Sequence, residues 1–194
     1  MKKSYFIRTF RLNGYLLLAC VLLFIADFGF KLVGIFLRSQ ENGNMDKYIQ
    51  LLNKYVLIVQ HGLQQALIVS ILITLAIILP EIITRILKDS VVNIGKSIWI
   101  TSRIRKFLQM RPTHEEEKNK ILRYNKVISK TIVDVHNNSV VFLLKIPNEF
   151  GIHGMISDNK DIIRDEISHR LTDYSFSNVE RVKSYLRLEG TRIR

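Results

Sequence analysis

The sequence predicts a membrane α-helical hairpin of two transmembrane helices, followed by a small cytoplasmic α+β module of order β-β-α-β. Three observations predict it. Residues 55–79 hold no formally charged side chain. Residues 12–37 form a second apolar stretch, broken by only two charged residues, Asp27 and Lys31. Short β-branched runs separated by turn residues begin at 126. Charged residues make up 24% of the chain, yet only Asp27 and Lys31 fall within the apolar stretches, so the two kinds are segregated along it. The resulting divisions are a basic N-terminus (1–11), a first span (12–37), an extracytoplasmic loop (38–54), a second span (55–79), a basic membrane-proximal helical segment (80–111), a polar linker (112–125) and the module (126–194).

The second span carries the clearest signal. Its 25 residues, at a rise of about 1.5 Å each, make a helix about 37 Å long against a hydrocarbon core of ~30 Å. A helix satisfies its backbone polar groups internally, as lipid requires. Pro80 closes the pattern, and Glu81 and Arg85 follow it.

The first span follows a start rich in cations (Lys2, Lys3, Arg8, Arg11) and free of acids. A cleaved signal peptide shares that start, but this apolar run is too long and lacks a small-residue cleavage site before a polar segment. Leu17-Leu18-Ala19-Cys20 has the look of a lipoprotein box, yet Cys20 is followed by more membrane-like sequence. The span is read as retained. Cys20 is the only cysteine, so no internal disulfide forms.

Orientation follows from the cations near the span ends. Four flank the first span, and seven follow the second (Arg85, Lys88, Lys96, Arg103, Arg105, Lys106, Arg111). The loop holds three (Arg38, Lys47, Lys54), offset by Glu41 and Asp46, with Asn42-Gly43-Asn44 at its middle. Both termini are therefore expected in the cytoplasm of a multi-pass plasma-membrane protein.

Two features inside the spans are candidate sites. Gly62, Ala66, Ser70 and Thr74 recur every four residues, a ridge of small side chains that lets another helix approach closely. Asp27, Lys31, His61, Gln64 and Gln65 form an intramembrane polar cluster. In an antiparallel hairpin Lys31 is level with His61, and Asp27 with Gln65, about 9 Å and about 15 Å below the outer surface. Charges at such depth need partners. An ion or proton path is one reading; an ion pair with hydrogen-bonding glue between helices or between copies is the other.

Residues 82–110 mix apolar residues at near-helical spacing with cations. Trp99 and the basic patch Lys96, Arg103, Arg105, Lys106 and Arg111 suit a segment lying on an anionic leaflet, with direct nucleic-acid binding as the competing reading. Gly95-Lys96-Ser97 imitates the end of a phosphate-binding loop. The required earlier glycine is replaced by Ser90, and no strand precedes it, so nucleotide binding is not expected.

In the module, 126–135 reads as a strand ending at the turn His136-Asn137-Asn138-Ser139, and 140–146 as a second strand stopped by Pro147. Residues 150–157, with Gly151 and Gly154, read as a loop. A helix capped by Ser157 or Asp158 runs to about Leu171 with Ile162, Ile163, Ile167 and Leu171 on one face. Residues 179–188 read as the last strand, ending at Gly190. One helix on an antiparallel sheet is the expected packing. His114, His136, His153 and His169 lack metal-ligand spacing and read as surface residues. Asp161, Asp165 and Glu166 lie among Lys160, Arg164 and Arg170, the pattern of a solvated ion-paired face. No catalytic, cofactor or metal residues are assigned, and the module reads as a docking domain.

The layout of two spans, a basic membrane exit and a module running from DVHNNSVVFLLKIP through DNKDIIRDEISHRL to VERVKSYLRLEG resembles the front end of FtsK/SpoIIIE-like coupling proteins, in particular the TcpA-type proteins of Gram-positive conjugative elements. In those a similar segment stands between membrane and ATPase motor. The resemblance implies a non-enzymatic bacterial adaptor that anchors a DNA-transfer machine, with an ATPase or relaxosome component as partner. The motor's Walker elements are absent from this sequence, so no catalytic residue carries over. The alternative is a small oligomeric channel or toxin-like protein using the intramembrane cluster.

Overall fold

The computed structural model describes residues 4–39, 46–112, 115–147 and 150–193. The loop sequence Asn42-Gly43-Asn44 with Glu41, the cations Lys2 and Lys3, and His114 lie outside the described residues, as does the side chain of Asp46. The chain divides into two compact units, Arg8–Ile82 and Met1–Ile7 with Ile83–Arg194.

The first unit is built from two long helices, α1 (Tyr5–Ser39) and α2 (Asp46–Lys88). Each outruns its predicted span at both ends. Pro80 lies inside α2 rather than ending it; its ring removes one backbone hydrogen bond, and the helix continues to Lys88. The helices run antiparallel. Cys20 Sγ lies 3.1 Å from Ser70 Oγ, while a Cβ built on Gly34 would lie 3.7 Å from Val56.

Burial along both helices alternates in steps of three and four, the spacing of a two-helix seam. On α1 it runs Thr9, Asn13, Leu16, Cys20, Leu23, Asp27, Phe30, Gly34. On α2 it runs Asn53, Val56, Gln60, Leu63, Leu67, Ser70, Thr74. About half of these positions are polar or small. The outward surface is aliphatic and aromatic: Leu18, Leu22, Phe24 and Ile25 on α1, and Ile68, Val69 and Leu72 on α2, are all more than half exposed.

The second unit contains α3 (Val92–Leu108), α4 (Glu115–Ile128), β1 (Ile132–Val135), β2 (Ser139–Lys145), α5 (Phe150–Asp158), α6 (Lys160–Arg170), β3 (Tyr174–Phe176), β4 (Glu180–Val182) and β5 (Tyr185–Arg192). The sheet is antiparallel, ordered β1-β2-β5-β3, with β4 also paired to β5. Alternate residues on one face, among them Val133, Phe142, Leu144, Leu186 and Leu188, are fully buried under Ile104, Tyr124, Ile156 and Ile167 from the four helices.

The antiparallel sheet agrees with the expected module, but the order β-β-α-β is too simple. The polar linker is mostly α4, because Ile121, Tyr124 and Ile128 recur at helical spacing and are buried. The first strand is correspondingly cut to β1, since helix α4 holds 126–128. The loop expected at 150–157 is α5, whose Ile152 and Ile156 sit one turn apart and fill the core in spite of Gly151 and Gly154. In α6, Ile163 and Ile167 face the core while Ile162 is 49% exposed. The last strand is a hairpin, β4–β5, that turns at Lys183 with φ of 58°. β5 runs through Gly190, where a Cβ would meet the Phe176 ring at 2.6 Å.

Helix α3 has a specific structural task. β1 lies at the sheet edge, and its outer backbone groups are satisfied by side chains four residues apart on α3. The Ser97 hydroxyl accepts from Val135 N at 2.8 Å. Thr101 Oγ1 accepts from Val133 N at 2.9 Å and donates to Val133 O at 3.2 Å. Arg105 Nε donates to Thr131 O at 2.8 Å. Four helical residues rise about 6 Å and two strand residues about 6.6 Å, so the two repeats match over this length.

Candidate functional site

The most densely bonded polar group in the module surrounds Arg85, which is 1% exposed. Arg85 comes from the last turn of α2, within the second unit. Its Nη2 donates to Asp134 Oδ1 at 2.5 Å, and its Nη1 to Asp89 Oδ2 at 2.5 Å and to Val135 O at 2.7 Å. Phe6 at the start of α1 stacks on the guanidinium, 5.8 Å away. Asp134 also accepts from the Ser4 hydroxyl. Asp89 Oδ1 takes the backbone N–H of Asn137 at 2.7 Å and the Asn93 amide at 2.9 Å.

His136 closes the group. Its Nε2 lies 3.2 Å from Asp134 Oδ2, and its Nδ1 lies 3.1 Å from both Asp89 Oδ2 and Arg85 Nη1. The Tyr174 hydroxyl donates to its carbonyl at 2.8 Å. The hydrogen bond to Asp134 raises the His136 pKa above its ordinary 6.5; burial and Arg85 oppose this, and the Asp134 and Asp89 charges add to it. Burial pushes Asp134 upward, but bonds from His136 and Ser4 and the charges of His136 and Arg85 outweigh it, leaving it lowered. Asp89 is lowered likewise: burial raises it, and bonds from Asn137, Arg85 and Asn93 and the His136 charge prevail. Two cations then face two anions whenever His136 is protonated. Both carboxylates are engaged, so neither is placed to act as a general base.

The pH dependence follows. His136 is raised on folding, so its contribution is complete below 6.5 and is lost as pH climbs through the higher folded value. The carboxylates are lowered, so theirs is present above 3.8 and lost on acidification through their folded values. Stability of the module is expected to decline from pH 6.5 upward, and His136→Gln to flatten that decline. Chemical unfolding followed at several pH values checks this; an unchanged slope in the variant contradicts it.

This group was not among the residues singled out from sequence, where His136 read as a surface histidine. Arg85 and Asp89 stand one helical turn apart, and Asp134 interrupts the apolar run IVDV; those were the available signals.

The polar cluster expected within the spans falls into two pairs, each along its own helix. Lys31 Nζ bonds Asp27 Oδ2 at 2.6 Å, and Gln65 Nε2 lies 3.1 Å from His61 Nε2. No hydrogen bond or ion pair among the described residues joins the two pairs, and Gln64 is half-buried. Asp27 sits in the seam, 3% exposed, with Oδ1 lacking a hydrogen-bond partner, whereas Lys31, His61 and Gln65 point outward.

The small-residue ridge divides too. Ser70 and Thr74 meet Cys20, but Gly62 and Ala66 are exposed. A step of four advances about 400° around a helix, so a four-residue repeat drifts off a seam that alternates three and four.

Of the basic patch, Lys96, Arg103, Lys106 and Arg111 are exposed, with Arg103 stacked 5.4 Å over Trp99, while Arg105 turns inward to β1. Ser97 belongs to the α3 ladder rather than to a phosphate loop. Among the described residues no group of histidines, cysteines and carboxylates has the arrangement of a metal site.

Comparison with protein-family models, with curated proteins and with solved structures finds no match to this chain.

Proposed function

We propose that this chain is a non-enzymatic membrane anchor whose helical hairpin spans the bilayer and whose module docks a partner on the cytoplasmic side. The observation that carries the reading is the inverted polarity of the helix pair. Its seam holds Asn13, Cys20, Asp27, Asn53, Ser70 and Thr74, and its outside is aliphatic and aromatic. Only 6% and 11% of the most apolar stretches of the two helices are buried, whereas a soluble core helix would be mostly buried. Each large apolar side chain left in water forgoes about 1.5–3 kcal/mol, so a row of them argues for lipid as the solvent. The cation count at the span ends favours cytoplasmic termini in the plasma membrane.

The outer face of α3 supports a surface role beside that membrane. Trp99 and Phe107 are about half exposed among Lys96, Arg103 and Lys106, a combination suited to anionic headgroups. The resemblance to FtsK/SpoIIIE-like coupling proteins adds a narrower proposal: the docked partner is an ATPase or relaxosome component of a conjugative machine. That proposal rests on sequence organisation alone.

Crosslinking of the full chain in its native membrane, followed by mass spectrometry, tests the docking role. Capture of a motor ATPase, relaxase or secretion-channel subunit is the expected result. Capture of nothing but further copies of the chain would remove it.

A second reading, an oligomeric channel, is favoured by the unpaired buried Oδ1 of Asp27. It requires that expression change membrane conductance and that Asp27→Asn alter the change. Silent bilayers would dismiss it.

A further inference from the structure

The module contains a cationic groove with an apolar floor. Two cavities of about 380 and about 140 Å³ share Ile146 in their walls. The larger is lined by Lys130 and Lys145 beside Val127 and Pro147. The smaller lies between one side of α5–α6, which presents His153, Ile156 and Lys160, and the β4–β5 hairpin, which presents Arg181 and Leu186. Arg181 Nη1 donates to His153 Nε2 at 2.8 Å, which holds the guanidinium at the rim.

Among the described residues no acidic side chain lines either cavity, and none of Lys130, Lys145, Lys160 and Arg181 is in an ion pair. Some other cations of the module are in ion pairs, among them Arg85 with Asp134, Arg170 with Glu166 and Arg187 with Glu189. What sets the groove apart is its lining: four cations border the two cavities, and no acidic side chain among the described residues lines them. The floor is as informative as the rim. Ile146, Ile156 and Leu186 are nearly fully buried and form the apolar walls of the smaller cavity.

We infer that this groove binds an acidic peptide segment of a partner protein, with carboxylates on Lys130, Lys145, Lys160 and Arg181 and aliphatic side chains against Ile146, Ile156 and Leu186. The larger cavity is at the low end of the ~300–1,000 Å³ of whole small-molecule sites and the smaller is below it, sizes that accommodate single side chains. A phosphate backbone would meet the cations, but it gains nothing from an aliphatic floor; no Phe, Tyr or Trp lines the cavities for a base to stack on, and the His153 ring is bonded to Arg181. A peptide gains from both. The inference deepens the docking reading and rests on it.

The test uses the full chain in lipid nanodiscs with labelled isoleucine and leucine methyls. The probe is an N-acetylated, C-amidated tetrapeptide that alternates glutamate with leucine. Saturable shifts are expected at Ile146, Ile156 and Leu186. Binding is expected to weaken about tenfold when glutamine replaces the glutamates, when serine replaces the leucines, or in Arg181→Gln. The spectrum of Leu144 and Leu188 in the core reports whether each variant is folded, and Lys160→Gln serves as a second, independent variant. The inference is overturned if those methyls do not move, if the glutamine peptide binds equally well, or if inorganic phosphate or oligothymidylate moves them at lower concentration than the peptide. Such a failure would leave docking through another face standing. Native-membrane crosslinking that captures no partner would remove docking itself.

Discussion

The Arg85→Met variant is expected to lose about 3–5 kcal/mol of module stability, the cost of breaking one side of a buried ion pair. Methionine keeps most of the volume and removes the charge. Asp134, whose side chain is 1% exposed, and Asp89, at 6%, would then share only His136 as a cation. The Val135 carbonyl also loses the donor that Arg85 supplies. The double variant Arg85→Met/Asp134→Leu separates the two contributions. Replacing a whole buried pair by apolar residues is commonly near neutral, so the double variant should recover a large part of the loss. Denaturant unfolding measured through Trp99, the only tryptophan, gives both values. A loss below about 1 kcal/mol for the single variant would place Arg85 in the class of exposed pairs and contradict its burial.

The Ser97→Ala/Thr101→Val variant should show the second large effect. Three backbone groups of β1, the N–H of Val133, the carbonyl of Val133 and the N–H of Val135, take their partners from these two hydroxyls. Both side chains are at most 1% exposed, so water is not at hand to replace them. An orphaned buried polar group costs about 1–3 kcal/mol, and the double variant creates three. Valine preserves the shape of threonine, so packing loss is small and the measured change isolates the hydrogen bonds. Hydrogen exchange should show the Val133 and Val135 amides losing protection ahead of Phe142 in β2, which pairs within the sheet. Equal protection in variant and parent would mean that α3 does not satisfy the edge of β1.

The parts of this fold legible in sequence are those with one dominant period. The two apolar stretches needed only length and a scarcity of charge, and β2 needed only VVFLLK between a turn and Pro147. The less legible parts balance competing signals. In α4 the β-branched residues of KVISKTIVDV spoke for a strand, while Ile121, Tyr124 and Ile128 held the helical repeat and prevailed through burial. In α5 two glycines suggested a loop, yet Ile152 and Ile156 supplied enough core contact to keep the segment helical. The Arg85 group combines residues 4, 85, 89, 134 and 136, and no local pattern joins positions so far apart in sequence. Ser97 and Thr101 were hidden for a related reason. Their spacing of four matters only once β1 is known to lie alongside. The seam between α1 and α2 shows the opposite case: the polar residues were visible in sequence, but which of them face inward depends on a three-four alternation that a plain four-residue ridge misses.

The helix pair is proposed to cross a bilayer with both termini on the cytoplasmic side. Cysteine labelling in intact cells tests it most directly, because Cys20 is the single native thiol and is removed by Cys20→Ser. Three further variants are each added to that background: Ser39→Cys at the outer end of α1, Leu72→Cys on the apolar outside of α2, and Ser102→Cys on the exposed face of α3. With a membrane-impermeant maleimide, position 39 should label in intact cells, position 102 only after permeabilisation, and position 72 in neither state until detergent is added. Labelling of position 102 in intact cells, or of position 72 without detergent, would contradict the membrane hairpin and its orientation.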